Sequence, residues 1–130
     1  MKTPDQVIQG EYLHRWHIIP KNRFLNMYLH RFNQPDASPH THDHPWWSLT
    51  LVLKGWYVEE VRGGYEKQIR PLRLRFRSAK LAHRVAAVSP QGCWTLFVMG
   101  RKKRDWGFLV GEDWVSHEDY LVNEGFPKYP

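Results

Sequence analysis

The chain is a succession of short apolar runs broken by turn residues, with no long helical periodicity, and this restricts it to an all-β architecture. The candidate strands are Leu25–Phe32, Ser48–Leu53, Trp56–Val61, Tyr65–Ile69, Leu72–Phe76, His83–Val88, Trp94–Met99 and Trp106–Val110. Lys54-Gly55, Gly63-Gly64, Pro90-Gln91-Gly92 and Gly100 separate them, and the glycine pair at 63–64 is a hairpin signal. Strands of this length and spacing imply a sandwich or barrel. Helix is expected only in the tail, over 116–122, where Ser116 and Asp119 form a weak N-cap pattern. The first twenty or so residues, which include Pro4 and Pro20, read as an irregular arm. No internal repeat or low-complexity segment interrupts the pattern.

A length of 130 residues fits one domain, 1–130, with its core over about 25–110. The single cysteine, Cys93, excludes an intramolecular disulfide and reads as a buried small hydrophobe. The N-terminus lacks an apolar signal core and no run is long enough to span a bilayer, so a soluble, cytoplasmic protein without membrane contact is expected. The net charge is +6. Two basic blocks stand out: Arg70, Arg73, Arg75 and Arg77, where Arg73-Leu74-Arg75-Phe76-Arg77 alternates as a strand with one wet face would, and the turn-like block 101–104. The arginines are expected on a solvated outer face, and no nucleic-acid partner is expected. The seven tryptophans read mostly as core and barrel-end packing.

Chemistry concentrates in Pro39-His40-Thr41-His42-Asp43-His44-Pro45-Trp46-Trp47. In extended backbone, residues two apart share a face, so alternate imidazoles can converge on one metal ion. Pro45 pushes His44 toward an extended conformation. Three histidines alone fit a solvated loop equally well. A third candidate ligand is His83, which opens another strand in Ala82-His83-Arg84-Val85.

These residues resemble the cupin superfamily. His42-Asp43-His44-Pro45, the strand Leu49–Leu53 and Lys54-Gly55 match its first motif, and His83-Arg84-Val85 matches the end of its second. The likeness covers roughly 25–100. The run from His42 to Trp47, with Gly55–Glu59, Trp94-Thr95-Leu96 and Asp105–Phe108, looks like a group of small bacterial and phage cupin proteins of uncharacterised activity. The resemblance implies a double-stranded β-helix, or jelly roll, with a divalent metal inside: iron, zinc or nickel, held by His42, His44 and His83. It implies a homodimer, since cupins pair through sheet edges or faces, and a small-molecule ligand or substrate in the barrel. Two departures stand out. Ser48 occupies the position of the cupin glutamate ligand, and Ser78-Ala79-Lys80-Leu81-Ala82 replaces the usual proline and glycine before the second-motif histidine. A three-histidine centre leaves the ion's charge uncompensated, with coordination positions open to anionic or chelating ligands. Three-histidine iron sites occur among cupin-like thiol and diketone dioxygenases, so a non-haem iron dioxygenase is the first enzymatic expectation. A non-catalytic ligand- or metal-binding module, or a phage-associated cupin module, is the alternative.

Around the candidate ligands, Trp46, Trp47 and Ser48 would shape the mouth of the pocket. Tyr28 and His30 share one strand face with Asn26 and Phe32, and would line the pocket if that face is the inner one. One of Glu59 and Glu60 must face inward. An inward glutamate can serve as base or displaced ligand, although a salt bridge to the arginine-rich strand is the expected role. His40 precedes the motif and reads as surface loop, with a shifted register as the way it would join the site. His14, His17 and His117 have no partner visible in the sequence.

Overall fold

The computed structural model describes residues 3–8, 12–36, 40–62, 65–110 and 112–123. Its strands are β1 (Gln6–Ile8), β2 (Leu13–His17), β3 (Asn26–Phe32), β4 (Ser48–Lys54), β5 (Tyr57–Val61), β6 (Tyr65–Ile69), β7 (Leu74–Arg77), β8 (His83–Val88), β9 (Cys93–Met99), β10 (Gly107–Val110) and β11 (Asp113–Ser116), followed by α1 (His117–Asn123). They form a six-stranded sheet in the order β1-β2-β3-β9-β4-β7, a three-stranded sheet β6-β5-β8 and the hairpin β10-β11. All pairings are antiparallel. The apolar core draws on both larger sheets, joining Leu13, Val52 and Cys93 to Tyr57, Ile69 and Val85. This is the all-β architecture expected from the strand pattern, in the jelly-roll form that the resemblance implies.

The N-terminal arm is not irregular. β1 pairs with β2, and β2 pairs along its own full length with β3, from Leu13↔Phe32 to His17↔Tyr28. The polar sequence of β2 hid it: only Leu13 is fully buried there, while its histidines, arginine and tryptophan are partly exposed. The tail helix starts after Ser116, whose Oγ accepts the Asp119 backbone N–H at 3.3 Å. The Gly63-Gly64 turn lies outside the described residues.

The arginine-rich strand begins later than expected, at Leu74. Arg70 to Arg73 close a turn through the Arg73 N–H to Arg70 carbonyl bond of 3.1 Å, with Pro71 and Leu72 at its centre. Leu72 has a φ of +66°, a left-handed conformation usually left to glycine or asparagine at this place in a type II turn.

β7 also faces the opposite way from the expectation. Arg77 is buried at 3 % exposure and Arg75 is half-buried, whereas Leu74 and Phe76 stand out at 59 % and 62 %. The same inversion runs across the sheet. Asn26, His30, Ser48, Thr50, Thr95 and Arg77 are buried, while Met27, Leu29, Leu49, Leu51, Leu96 and Val98 on the alternate positions remain partly exposed. Register aligns Phe76, Leu49, Val98 and Met27 in one cross-strand row and Leu74, Leu51, Leu96 and Leu29 in the next. Antiparallel sheets ordinarily place the apolar face inward. Here a polar interior takes precedence, because Glu59 on β5 faces in and is buried completely. An isolated buried carboxylate is costly unless cations meet it, and Arg75 and Arg77 do so.

Candidate metal centre

His42 and His44 lie on a short extended segment held on both sides. His42 exchanges backbone hydrogen bonds of 2.9 Å each way with His83, and Leu109 donates to the Thr41 carbonyl at 2.9 Å. His44 N–H donates to the Ala79 carbonyl at 3.0 Å. The segment therefore bridges the start of β8 and the strand β10. This backbone arrangement brings His42, His44 and His83 together, and one ring nitrogen from each lies within 4.8 Å of the other two. The ring centroids are 5.0 Å apart for His42–His44, 5.4 Å for His42–His83 and 4.9 Å for His44–His83.

Asp43, between the two histidines, is the main residue that the sequence did not single out. It is buried and points away from the imidazoles. Its carboxylate accepts the Gly107 backbone N–H at 2.8 Å and the Trp114 indole N–H at 3.0 Å, and lies 3.0 Å from Arg104 Nη1. Arg104 also donates to the His44 and Ala79 carbonyls at 3.3 and 3.2 Å. Part of the expected basic turn is thus a clamp on the histidine segment. Trp106 and Phe108 add an aromatic wall, with centroids 5.8 and 5.4 Å from the His42 ring.

Burial drives the electrostatics. It pushes His42 down to about 4, with nearby Asp36 and Asp43 opposing the shift, and holds His44 well below the usual histidine range, where the neighbouring histidines and Arg77 add to the effect. Both rings are therefore neutral at pH 7, the form that ligates a metal. Glu59 reaches His83 from β5, its Oε2 3.1 Å from Nδ1. Burial alone would raise the Glu59 carboxyl, yet His83 and the Arg77 guanidinium hold it far below the carboxylate range. Arg77 donates to Glu59 and, at 2.7 Å, to the Tyr57 hydroxyl; Arg75 donates to Glu59 at 3.0 Å. The expected salt bridge between Glu59 and the arginine strand is present, while the solvated outer face expected for Arg75 and Arg77 is not.

The residues suit a divalent ion. Three nitrogen donors converge, and His83 Nε2 is buried without a hydrogen-bond partner while Nδ1 faces Glu59. Tetrahedral or octahedral ligation at about 2.1 Å requires donor separations of roughly 3 Å, so the rings would close inward on the ion. Ser48, at the position of the cupin glutamate, faces inward opposite Arg77 and Met99 and brings no carboxylate.

The other candidates divide. Trp46 flanks the centre at 6.4 Å from the His44 ring, its buried indole N–H unpaired. Trp47 turns to the other side, stacking on Phe76 at 6.1 Å and lying over Gly100, where a Cβ would come within 2.2 Å of its indole. Tyr28 and His30 are on the inner face but deeper, in a stack with Phe97. His30 accepts from Arg15 Nε at 2.9 Å and is held well below the histidine range by burial and that guanidinium. His40 pairs with the Tyr120 hydroxyl at 2.9 Å, away from the three-histidine group.

No family model matches this sequence, and no curated protein matches it. Solved structures do. A cupin-like protein from Thermotoga maritima superposes with a TM-score of 0.61 at 13% identity, over 94% of each chain. An RmlC-like cupin from Shewanella frigidimarina gives 0.58 at 19% identity, over 75% of this chain and 84% of that one. KdgF from Halomonas sp. gives 0.59 at 15% identity, over 75% and 87%.

Proposed function

We propose that this chain, whose fold is that of the cupins, is a metal-binding protein that holds one divalent ion on His42, His44 and His83 and takes a small molecule into the barrel beside it. The convergence of three ring nitrogens within 4.8 Å carries the reading. Such an ion would supply Lewis acidity and open coordination positions to a ligand. Around it the His42 and His44 imidazoles are neutral and leave the ion's charge uncompensated, a setting that favours an anionic or chelating small molecule. Further in, His30 Nδ1 and Thr95 Oγ1 are cross-strand neighbours, buried and without hydrogen-bond partners. They leave polar groups for a ligand to meet.

As an enzyme, the protein would be a non-haem iron dioxygenase with a three-histidine centre. The competing reading is a non-catalytic ligand-binding module in the cytoplasm. It gains from Glu59, which two arginines already engage, so that this carboxylate is not a free base beside His83. Metal content by mass spectrometry on untagged protein, with H44A and H83A alongside, tests the centre. Near-stoichiometric metal lost in both variants is the expected result, and a wild-type protein that also refuses added iron and zinc overturns it. Oxygen consumption with thiols and diketones then separates enzyme from module.

The protein acts as a homodimer in this reading, paired through the outer side of β7. Leu72 is 80 % exposed in a left-handed backbone conformation, and Leu74 and Phe76 are exposed beside it on an edge strand. A cluster of large apolar side chains on a sheet edge calls for a partner surface.

A further inference from the structure

At the end of the barrel opposite the histidines, the β4–β5 and β8–β9 turns wall a cleft of about 530 Å³. Chain direction separates the two places. His44 precedes β4 and His83 opens β8, whereas Lys54 and Gly55 close β4 and Ser89–Gly92 follow β8. A seven-residue strand such as β4 is about 20 Å long, so one small molecule does not reach both.

The cleft is built rather than incidental. Ser89 is buried; its Oγ accepts from the Trp56 backbone N–H at 3.1 Å and donates to the Gly92 carbonyl at 2.7 Å. Its own N–H donates to the Trp56 carbonyl at 3.0 Å. Gly55 takes a φ of +81°, and a Cβ there would lie 2.4 Å from the Gly92 oxygen. The two turns are therefore locked together at a distance only glycine permits.

Two cations and two indoles line this rigid wall: Arg31, Lys54, Trp56 and Trp94. The Arg31 guanidinium sits 5.5 Å from the Trp94 ring centroid, and Trp94 in turn stacks on Trp16 at 5.4 Å. These contacts fix the planar cation in place. Arg31 donates through Nη2 to the Gln91 carbonyl at 3.2 Å, and no donor of its fork beyond that bond is hydrogen-bonded to another described residue. No carboxylate among the described residues forms an ion pair with Arg31 or Lys54. Unspent guanidinium donors, a second free cation and flat apolar walls together describe a receptor for charge joined to a ring.

We propose that this cleft binds small organic anions in which a carboxylate or phosphate is attached to a flat ring, the anion on Arg31 and Lys54 and the ring against Trp56 and Trp94. The site does not depend on the metal centre.

Titration of the full chain with benzoate tests it, read by NMR of the ¹⁵N-labelled tryptophan indole and arginine Nε–H groups. Saturable shifts of the Trp56, Trp94 and Arg31 signals are expected. Acetate, which lacks the ring, and benzyl alcohol, which lacks the charge, should each bind at least about tenfold more weakly. Phenyl phosphate beside benzoate identifies the preferred anion, and tight binding of either sustains the proposal. R31Q should weaken benzoate at least about tenfold while metal uptake stays unchanged. K54Q, at an exposed position, gives a second readout should R31Q fail to fold. Absence of saturable shifts, shifts confined to Trp46 and Trp106 beside the histidines, or wild-type affinity in both variants overturns it.

Discussion

Glu59 Oε2 lies 3.1 Å from His83 Nδ1, and the same carboxylate is held by the guanidiniums of Arg75 and Arg77. The barrel thus keeps a carboxylate at its centre even though β4 presents Ser48 where cupins carry glutamate. The carboxylate arrives from β5 and lies beside the Nδ1 side of the His83 imidazole. Such contacts fix ring orientation and tautomer and raise ligand basicity.

Replacing Glu59 by glutamine should therefore weaken metal binding by about 10–100-fold without removing a ligand. It should also destabilise the fold by about 3 kcal/mol, because Arg77 stays buried without its counter-charge. Competitive metal titration and chemical denaturation measure the two effects. A variant with wild-type affinity would show that His83 needs no orienting group.

Asp43→Ala removes none of the candidate ligands, yet it takes three contacts away from the segment that carries two of them. Metal uptake should fall at least about tenfold, with a stability loss of about 2 kcal/mol for the buried groups left unpaired. The indole signal of Trp114 in an NMR spectrum should move, which locates the loss at the clamp.

Acid should unfold the metal-free protein earlier than its carboxylates alone require. His42 is depressed to about 4, and His44 and His30 well below 6.5, so the unfolded chain takes up protons first. The sign follows: this contribution is fully present above about 6.5 and is lost as pH falls toward 4. Denaturation midpoints between pH 7.5 and 4.5 should fall steadily, and H42N should flatten the slope.

Leu72→Gly should stabilise the protomer by about 1 kcal/mol, since glycine adopts the positive φ at no steric cost. Sedimentation should at the same time show weaker self-association, because the most exposed apolar side chain of the proposed pairing surface is gone. L74S/F76S should weaken association further, by tenfold or more, while leaving the melting temperature of the isolated protomer nearly unchanged.

Most of the barrel was legible because alternation is strong in its central strands: β3, β4, β5, β8 and β9 start within one residue of expectation. The pairing of His42 with His44 was legible for the same reason, parity helped by Pro45. Alternation identifies two faces without saying which is inside. For β7 the answer depends on Glu59, a residue of the other sheet, so the arginines were assigned to solvent. β2 was missed because its only fully buried side chain is Leu13. Asp43 was not singled out, since Gly107 and Trp114 lie more than sixty positions further along.

That spacing gives the protein an order of events. The His42–His44 segment leaves the ribosome early, but the groups that grip Asp43 are Arg104, Gly107 and Trp114, near the end of the described chain. Until they arrive, the segment has only its backbone bonds to His83 and Ala79. Under the proposed function, the clamp on the metal site would therefore close only once synthesis has passed Trp114.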